Sequence, residues 1–211
     1  MMPFYNLIKF KYTLFLFSFL IMLVGDLFIA KKWFSIFQTL LIIQNMIISL
    51  MLFQESKRII RNSAYSIVFL GVISTILSQL HPEIINYFFV TVYLLYFLIV
   101  SYQLFYDLLF KKELGIEIIS AAFCGFILIG TVASIIFVSM HSSGAFSSPT
   151  GEITYSDYMY FSFVTLLTIG YGDIVPITPM AKKAIILIGL IGHFYTVFVV
   201  GIVIGKFIKN R

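Results

Sequence analysis

Residues 160–176 read Tyr160-Phe161-Ser162-Phe163-Val164-Thr165-Leu166-Leu167-Thr168-Ile169-Gly170-Tyr171-Gly172-Asp173-Ile174-Val175-Pro176. The apolar run that opens this stretch, 158–167, has ten residues. A helix needs about 20 residues to cross the hydrocarbon of a bilayer. The run is too short to cross and too apolar for an ordinary loop, which predicts a re-entrant half-helix buried in protein. The residues after it suit a different task. A dehydrated cation in a membrane needs its lost water replaced by closely spaced oxygens. Backbone carbonyls supply them only if every peptide of a short extended run turns its oxygen to one axis. That requires alternating backbone handedness, and Gly170 and Gly172 take a positive φ without steric penalty. Thr168 adds a hydroxyl at the inner end. One copy cannot encircle an ion, so the pattern implies four copies around a shared axis.

The half-helix is expected over 156–167, with Ser156 as N-cap and Asp157 in the first turn. Its C-terminal end then directs a partial negative charge toward the inner mouth. Tyr160, Phe161 and Phe163 are expected to pack behind Tyr171 and hold the run at a fixed diameter.

The rest of the chain suits a membrane setting. Of its 211 residues, 61% are hydrophobic and 11% charged, against about 45–50% and about 25% in soluble domains. The mean hydropathy is +1.05. A water-soluble enzyme, a disordered chain and a fibre are thereby excluded. Six long apolar runs, 12–30, 33–54, 64–80, 84–110, 114–140 and 180–208, predict six membrane spans. The net charge of +5 does not point to nucleic acid, because the basic residues punctuate the apolar runs. With the N-terminus inside, ten of them (Lys9, Lys11, Lys57, Arg58, Arg61, Lys111, Lys112, Lys206, Lys209, Arg211) face the cytoplasm, and Lys31, Lys32, Lys182 and Lys183 face outward. Both termini are therefore expected to be cytoplasmic. The first run is too long, and its end too poor a cleavage site, for a signal peptide. One Cys excludes an intrachain disulfide. The short tail after the last run leaves no room for a soluble domain.

The run Thr168-Ile169-Gly170-Tyr171-Gly172-Asp173 resembles the selectivity filter of potassium channels. The similarity covers roughly 114–208, in that family's order of outer helix, turret, pore helix, filter and inner helix. With Pro176, Thr178-Pro179 and Gly192-His193-Phe194-Tyr195, it is most similar to small prokaryotic potassium channels with six transmembrane helices and one pore loop. Residues 1–110 match only in layout. Leu167 stands where many relatives carry a second Thr, making the cavity mouth more apolar. Val164 stands where some place a carboxylate, so the Glu–Asp pair behind the filter is absent.

The resemblance implies an all-α membrane protein, assembled as a homotetramer in the cell membrane. Residues 1–110 would form a four-helix domain. Residues 111–211 would form the pore domain, with outer helix 114–140, pore helix 156–167, filter 168–173 and inner helix 180–208. Thr168, Ile169, Gly170, Tyr171 and Gly172 would bind potassium ions, and Asp173 would bias the outer mouth toward cations. Gly192 aligns with the family's hinge glycine, although close helix packing explains it equally simply. His193 and Thr196 would line the water-filled cavity, where His193 would either confer sensitivity to cytoplasmic acid or stay neutral and hydrogen-bonded between helices. No organic cofactor and no nucleic-acid partner is implied; a separate regulatory subunit is compatible with the sequence.

Four helices before a pore are often voltage sensors, which need basic residues at every third position of the fourth. Residues 84–110 hold no Lys or Arg, so the energy source for a steep voltage response is missing. Their only charged residue, Asp107, is expected to pair locally with Lys111. Asp26, Gln44 and Asn45 are polar groups within spans, the amides being explained by interhelical hydrogen bonds. Glu117 suits the dipole of its own helix, and Cys124 is a small packing residue. Three rivals remain: a nonselective cation channel, a transporter subunit, and a membrane sensor whose pore stays closed until a ligand or partner acts. An intact Tyr171 and Gly172 count against the first, and the single filter-like loop counts against the second.

Overall fold

The computed structural model describes residues 10–25, 34–80, 82–110, 116–149, 151 and 153–209. It is almost wholly helical. In chain order the helices are α1 (Lys11–Val24), α2 (Phe34–Ser49, extended by a 3-10 turn over Leu50–Phe53), α3 (Arg58–Leu80), α4 (Pro82–Phe110), α5 (Ile116–Ser139), α6 (Tyr155–Leu166) and α7 (Pro179–Lys209). Two short strands, β1 (Phe146–Ser147) and β2 (Val175–Pro176), pair antiparallel, with Phe146 opposite Pro176 and Ser147 opposite Val175.

Among the described residues, five stretches are long and apolar enough to cross a membrane: Ile36–Phe53, Arg58–Leu77, Phe88–Phe110, Ile116–Ser139 and Pro179–Gly205. Of the six expected spans, the first is described only over the 14 residues of α1. Most of its expected remainder, and Asp26 with it, lies outside the described residues. Pro82 and Pro179 both occupy the first position of a helix, where a missing N–H costs nothing. The amide of Ala181 donates to the hydroxyl of Thr178 at 3.3 Å, capping the start of α7.

The chain divides into two compact units, residues 1–125 and 126–211, and the division falls within α5. In the first unit α1–α4 bury a core of Phe15, Phe19, Met46, Phe53, Tyr96 and Val100. Asn45 joins three helices: its amide donates to Ser18 of α1 and its carbonyl accepts from Tyr96 of α4, both at 3.2 Å. Asp107 is turned to α1, accepting the hydroxyl proton of Tyr12. Lys111, its expected partner, lies outside the described residues. Cys124 is fully buried.

In the second unit the rings of Phe137, Phe146 and Phe161 pack with centroids 5.3–5.6 Å apart, edge to face or tilted. This cluster ties α5, β1 and α6 together. The seat of α6 on α5 depends on a missing side chain. A Cβ on Gly130 would stand 2.6 Å from the ring of Phe163. Beside it, the Ser162 hydroxyl donates to the Gly130 carbonyl at 2.9 Å. Gly130→Ala is therefore expected to overpack this contact and cost about 1–3 kcal/mol. The effect is read as a lowered unfolding temperature in detergent, and Phe163→Leu in the same chain should restore most of it.

Candidate functional site

The site is built on α6, whose two ends are fixed by different devices. At its start Thr154 is the N-cap, in extended conformation, and Asp157 completes a capping box. The Asp157 amide donates to the Thr154 hydroxyl oxygen, and the Thr154 amide donates to the Asp157 carboxylate at 2.7 Å. This corrects the expected cap at Ser156. The capping-box geometry needs the acid three residues after the cap, which puts Thr154, not Ser156, at the boundary. Asp157 does lie in the first turn, as expected.

At its other end α6 stops because Thr168 turns left-handed, with φ +58°. The Thr168 amide donates to the Thr165 carbonyl at 3.1 Å, and the Ile169 amide to the Val164 carbonyl at 2.9 Å. These two bonds form a Schellman termination, which usually places Gly at the left-handed position. A second amide, of Gly170, reaches the same Val164 carbonyl at 3.4 Å.

Beyond that point the backbone alternates. Thr168, Gly170 and Gly172 have φ of +58°, +60° and +78°, while Ile169 and Tyr171 between them do not enter the positive region. Alternation of this kind turns successive carbonyls toward one side of the chain. Glycine accommodates it freely, whereas at Thr168 it costs about 1–2 kcal/mol. The two glycines were legible in the sequence, but the left-handed Thr168 was not, because threonine gives no such signal. Residues 167–173 are all exposed in the single chain.

Past the glycines, Asp173 is pinned. The Tyr160 hydroxyl donates to Asp173 Oδ2 at 2.7 Å, and the Ile174 amide to Oδ1 at 3.1 Å. The bond to Asp173, with smaller contributions from burial and nearby charge, pushes the Tyr160 phenol up to about 12, so it remains a donor at neutral pH. The chain then returns through β2, whose pairing with β1 is extended by an Ile177 amide bond to the Ala145 carbonyl at 2.8 Å.

The three aromatic residues expected behind Tyr171 have other contacts. Tyr160 holds Asp173, Phe161 joins the Phe137–Phe146 cluster, and Phe163 fills the space over Gly130. The Tyr171 side chain is 70% exposed. Both Phe161 and Phe163 meet residues of α5 instead, at Phe137 and Gly130.

On α7, Gly192 is buried where the Leu166 side chain meets the helix, and a Cβ there would collide with Leu166 Cδ2. The Thr196 hydroxyl donates to the Gly192 carbonyl at 3.0 Å, a bond of the type that bends helices. His193 and Thr196 are exposed in the single chain.

Residues 124–209 match a protein-family model described as an ion channel. The match begins within α5 and takes in α6, the 168–173 run and α7. Together with the long apolar helices it points to a membrane protein whose residues 124–209 are similar to ion channels. Comparison with curated proteins and with solved structures gives no match.

Tyr160→Phe removes one of the two donors that hold Asp173. At about 1 kcal/mol for such a bond, the Ile174 amide is expected to exchange with deuterium about fivefold faster. Exchange measured by mass spectrometry on peptides covering 172–176 checks this.

Proposed function

We infer that the chain is one subunit of a potassium-selective channel that conducts passively through a pore shared by four identical copies. The observation that carries the reading is the alternating backbone at Thr168, Gly170 and Gly172, placed directly after the C-terminal end of a half-helix. In the assembled pore, the carbonyls of Thr168, Ile169, Gly170 and Tyr171, with the Thr168 hydroxyl, replace the hydration shell of potassium. Gly172 supplies the last left-handed turn of the run, and Asp173 draws cations to the outer mouth. Four helix ends of α6, each carrying a partial negative charge, lower the energy of a cation in the membrane centre.

The exposure of Leu190, Phe194, Val197 and Phe198 on α7, each at 50% or more, supports burial against further copies. So does the exposure of the 167–173 run, because a single copy leaves an ion open on three sides. On this reading Gly192 serves both close approach to Leu166 and bending of α7. His193 and Thr196 line the cavity below the filter, and acid on the cytoplasmic side reduces current through His193. The protein lies in the cell membrane with both termini cytoplasmic, acts without an organic cofactor and is not an enzyme. Absent Lys and Arg on α4, its opening is not steeply voltage-dependent.

The full chain in lipid bilayers, with potassium on one side and sodium on the other, tests the reading. The current is expected to reverse near the potassium equilibrium potential. Gly172→Ala, which forces a Cβ onto a φ of +78°, is expected to abolish that selectivity. Reversal near zero in the unaltered chain would instead identify a nonselective cation channel.

His193→Gln is expected to remove most of the block by cytoplasmic acid. Retention of the same block would exclude His193 as its source.

A further inference from the structure

Glu117, in the first turn of α5, does more than complement its own helix. Its side chain is buried and reaches across to the start of α1. There Oε2 accepts the backbone N–H of Tyr12 at 3.0 Å, and Oε1 accepts the hydroxyl proton of Thr13. The first amides of a helix have no acceptor within it and carry partial positive charge. The N-cap residue of α1, Phe10, supplies no side-chain acceptor. A carboxylate 105 positions away in sequence thus does the work of a cap.

Two further residues on the same face of α5 join this contact. The Ser120 hydroxyl lies 3.1 Å from the Thr13 hydroxyl, and the Cys124 thiol donates to the Tyr12 carbonyl at 3.6 Å. The same turn of α1 is also held by the four-helix unit. Lys11 forms an ion pair with Glu55 at 3.0 Å, and the Tyr12 hydroxyl donates to Asp107 on α4. One helical turn, residues 11–13, therefore connects α4 and the end of the α2 segment to α5. From Ile116 to Ser139 α5 is one unbroken helix, and it runs into the stretch that matches the ion-channel family.

We propose that Glu117, with Thr13 and Ser120, is a latch through which the four-helix unit restrains the pore's outer helix and sets the rate of opening and closing. The proposal rests on the channel reading given above. Glu117 is a positioning residue in it and touches no permeant ion. The chemistry suits such a role. A carboxylate on amide and hydroxyl donors is a strong, directional contact that forms no covalent bond. With no Lys or Arg on α4, a contact of this kind is a route by which residues 1–110 can act on α5.

The test uses the full chain reconstituted in lipid vesicles. In a Cys124→Ala background, Thr13→Cys and Ser120→Cys are joined by oxidation or by a short bifunctional thiol reagent, with linkage checked by mass. Linked channels are expected to show open and closed dwell times at least about fivefold longer, reversed by reduction, with the reversal potential unchanged. Glu117→Gln, which keeps the shape and removes the charge, is expected to shorten both dwell times. Dwell times insensitive to linkage and to Glu117→Gln would overturn the latch, as would failure of the two positions to link. If no variant carries a potassium-selective current, the channel reading itself falls. The latch is then judged by deuterium exchange over residues 179–209. A severalfold difference between linked and reduced protein supports it, and identical exchange overturns it.

Discussion

A peptide group inside a membrane must find a partner, and the whole second unit is arranged around a run that leaves its own carbonyls available. Ordinary helices pair every carbonyl four residues on. The run from Thr168 to Gly172 cannot, because its φ values alternate in sign. It is possible only because α6 delivers it ready-turned. The amides of Thr168, Ile169 and Gly170 close the last turn of α6 by bonding to Thr165 and Val164. These amides are satisfied behind the run, which frees its oxygens for the opposite side.

What fixes α6 fixes that geometry. Its start is locked by Thr154 and Asp157, and its flank is pressed on α5 through Phe163 over Gly130 and Ser162 on the Gly130 carbonyl. Its exit is held by Tyr160 on Asp173 and by the β1–β2 pairing. A shift of α6 would have to break an aromatic cluster, a hydrogen bond and a two-residue strand pair together. Each is worth about 1 kcal/mol or so alone, but they act on one rigid element and so constrain it jointly.

Much of this was legible in the sequence. Apolar run length placed α2, α4, α5 and α7 closely, because hydrocarbon thickness sets their length, but α3 starts at Arg58, ahead of the expected 64, because its first turns are polar. Gly170 and Gly172 announced positive φ, and Asp157 announced a helix start. The misread features depend on partners far away in the chain. Glu117 looks like a residue serving its own helix until α1 is placed beside it, since a dipole argument is local and the contact to Tyr12 is not. Phe161 and Phe163 looked like packing for Tyr171 because they are near it in sequence. They pack instead on Phe137 and Gly130 of α5, far away in sequence. The cap at Thr154 was missed for a smaller reason: both Thr154 and Ser156 are good caps, and only the three-residue spacing to Asp157 separates them.

Thr168 is where a local rule is broken, and the break is informative. The left-handed position that ends a helix is normally taken by Gly, which would remove a strain of about 1–2 kcal/mol here. Gly takes the two remaining left-handed positions of the run, 170 and 172, so the run uses it where only backbone is needed. A residue that accepts strain in place of an unstrained alternative must be supplying something through its side chain. On the channel reading proposed above, that side chain is a hydroxyl at the inner end of an oxygen-lined run, following the helix end that carries partial negative charge. Backbone oxygens can surround an ion along the run, but at its inner end the next backbone unit belongs to α6, whose turn is already committed to its own hydrogen bonds. On that reading a hydroxyl supplies the oxygen that the backbone there cannot, which accounts for a threonine at the one position where glycine would be easier to fold.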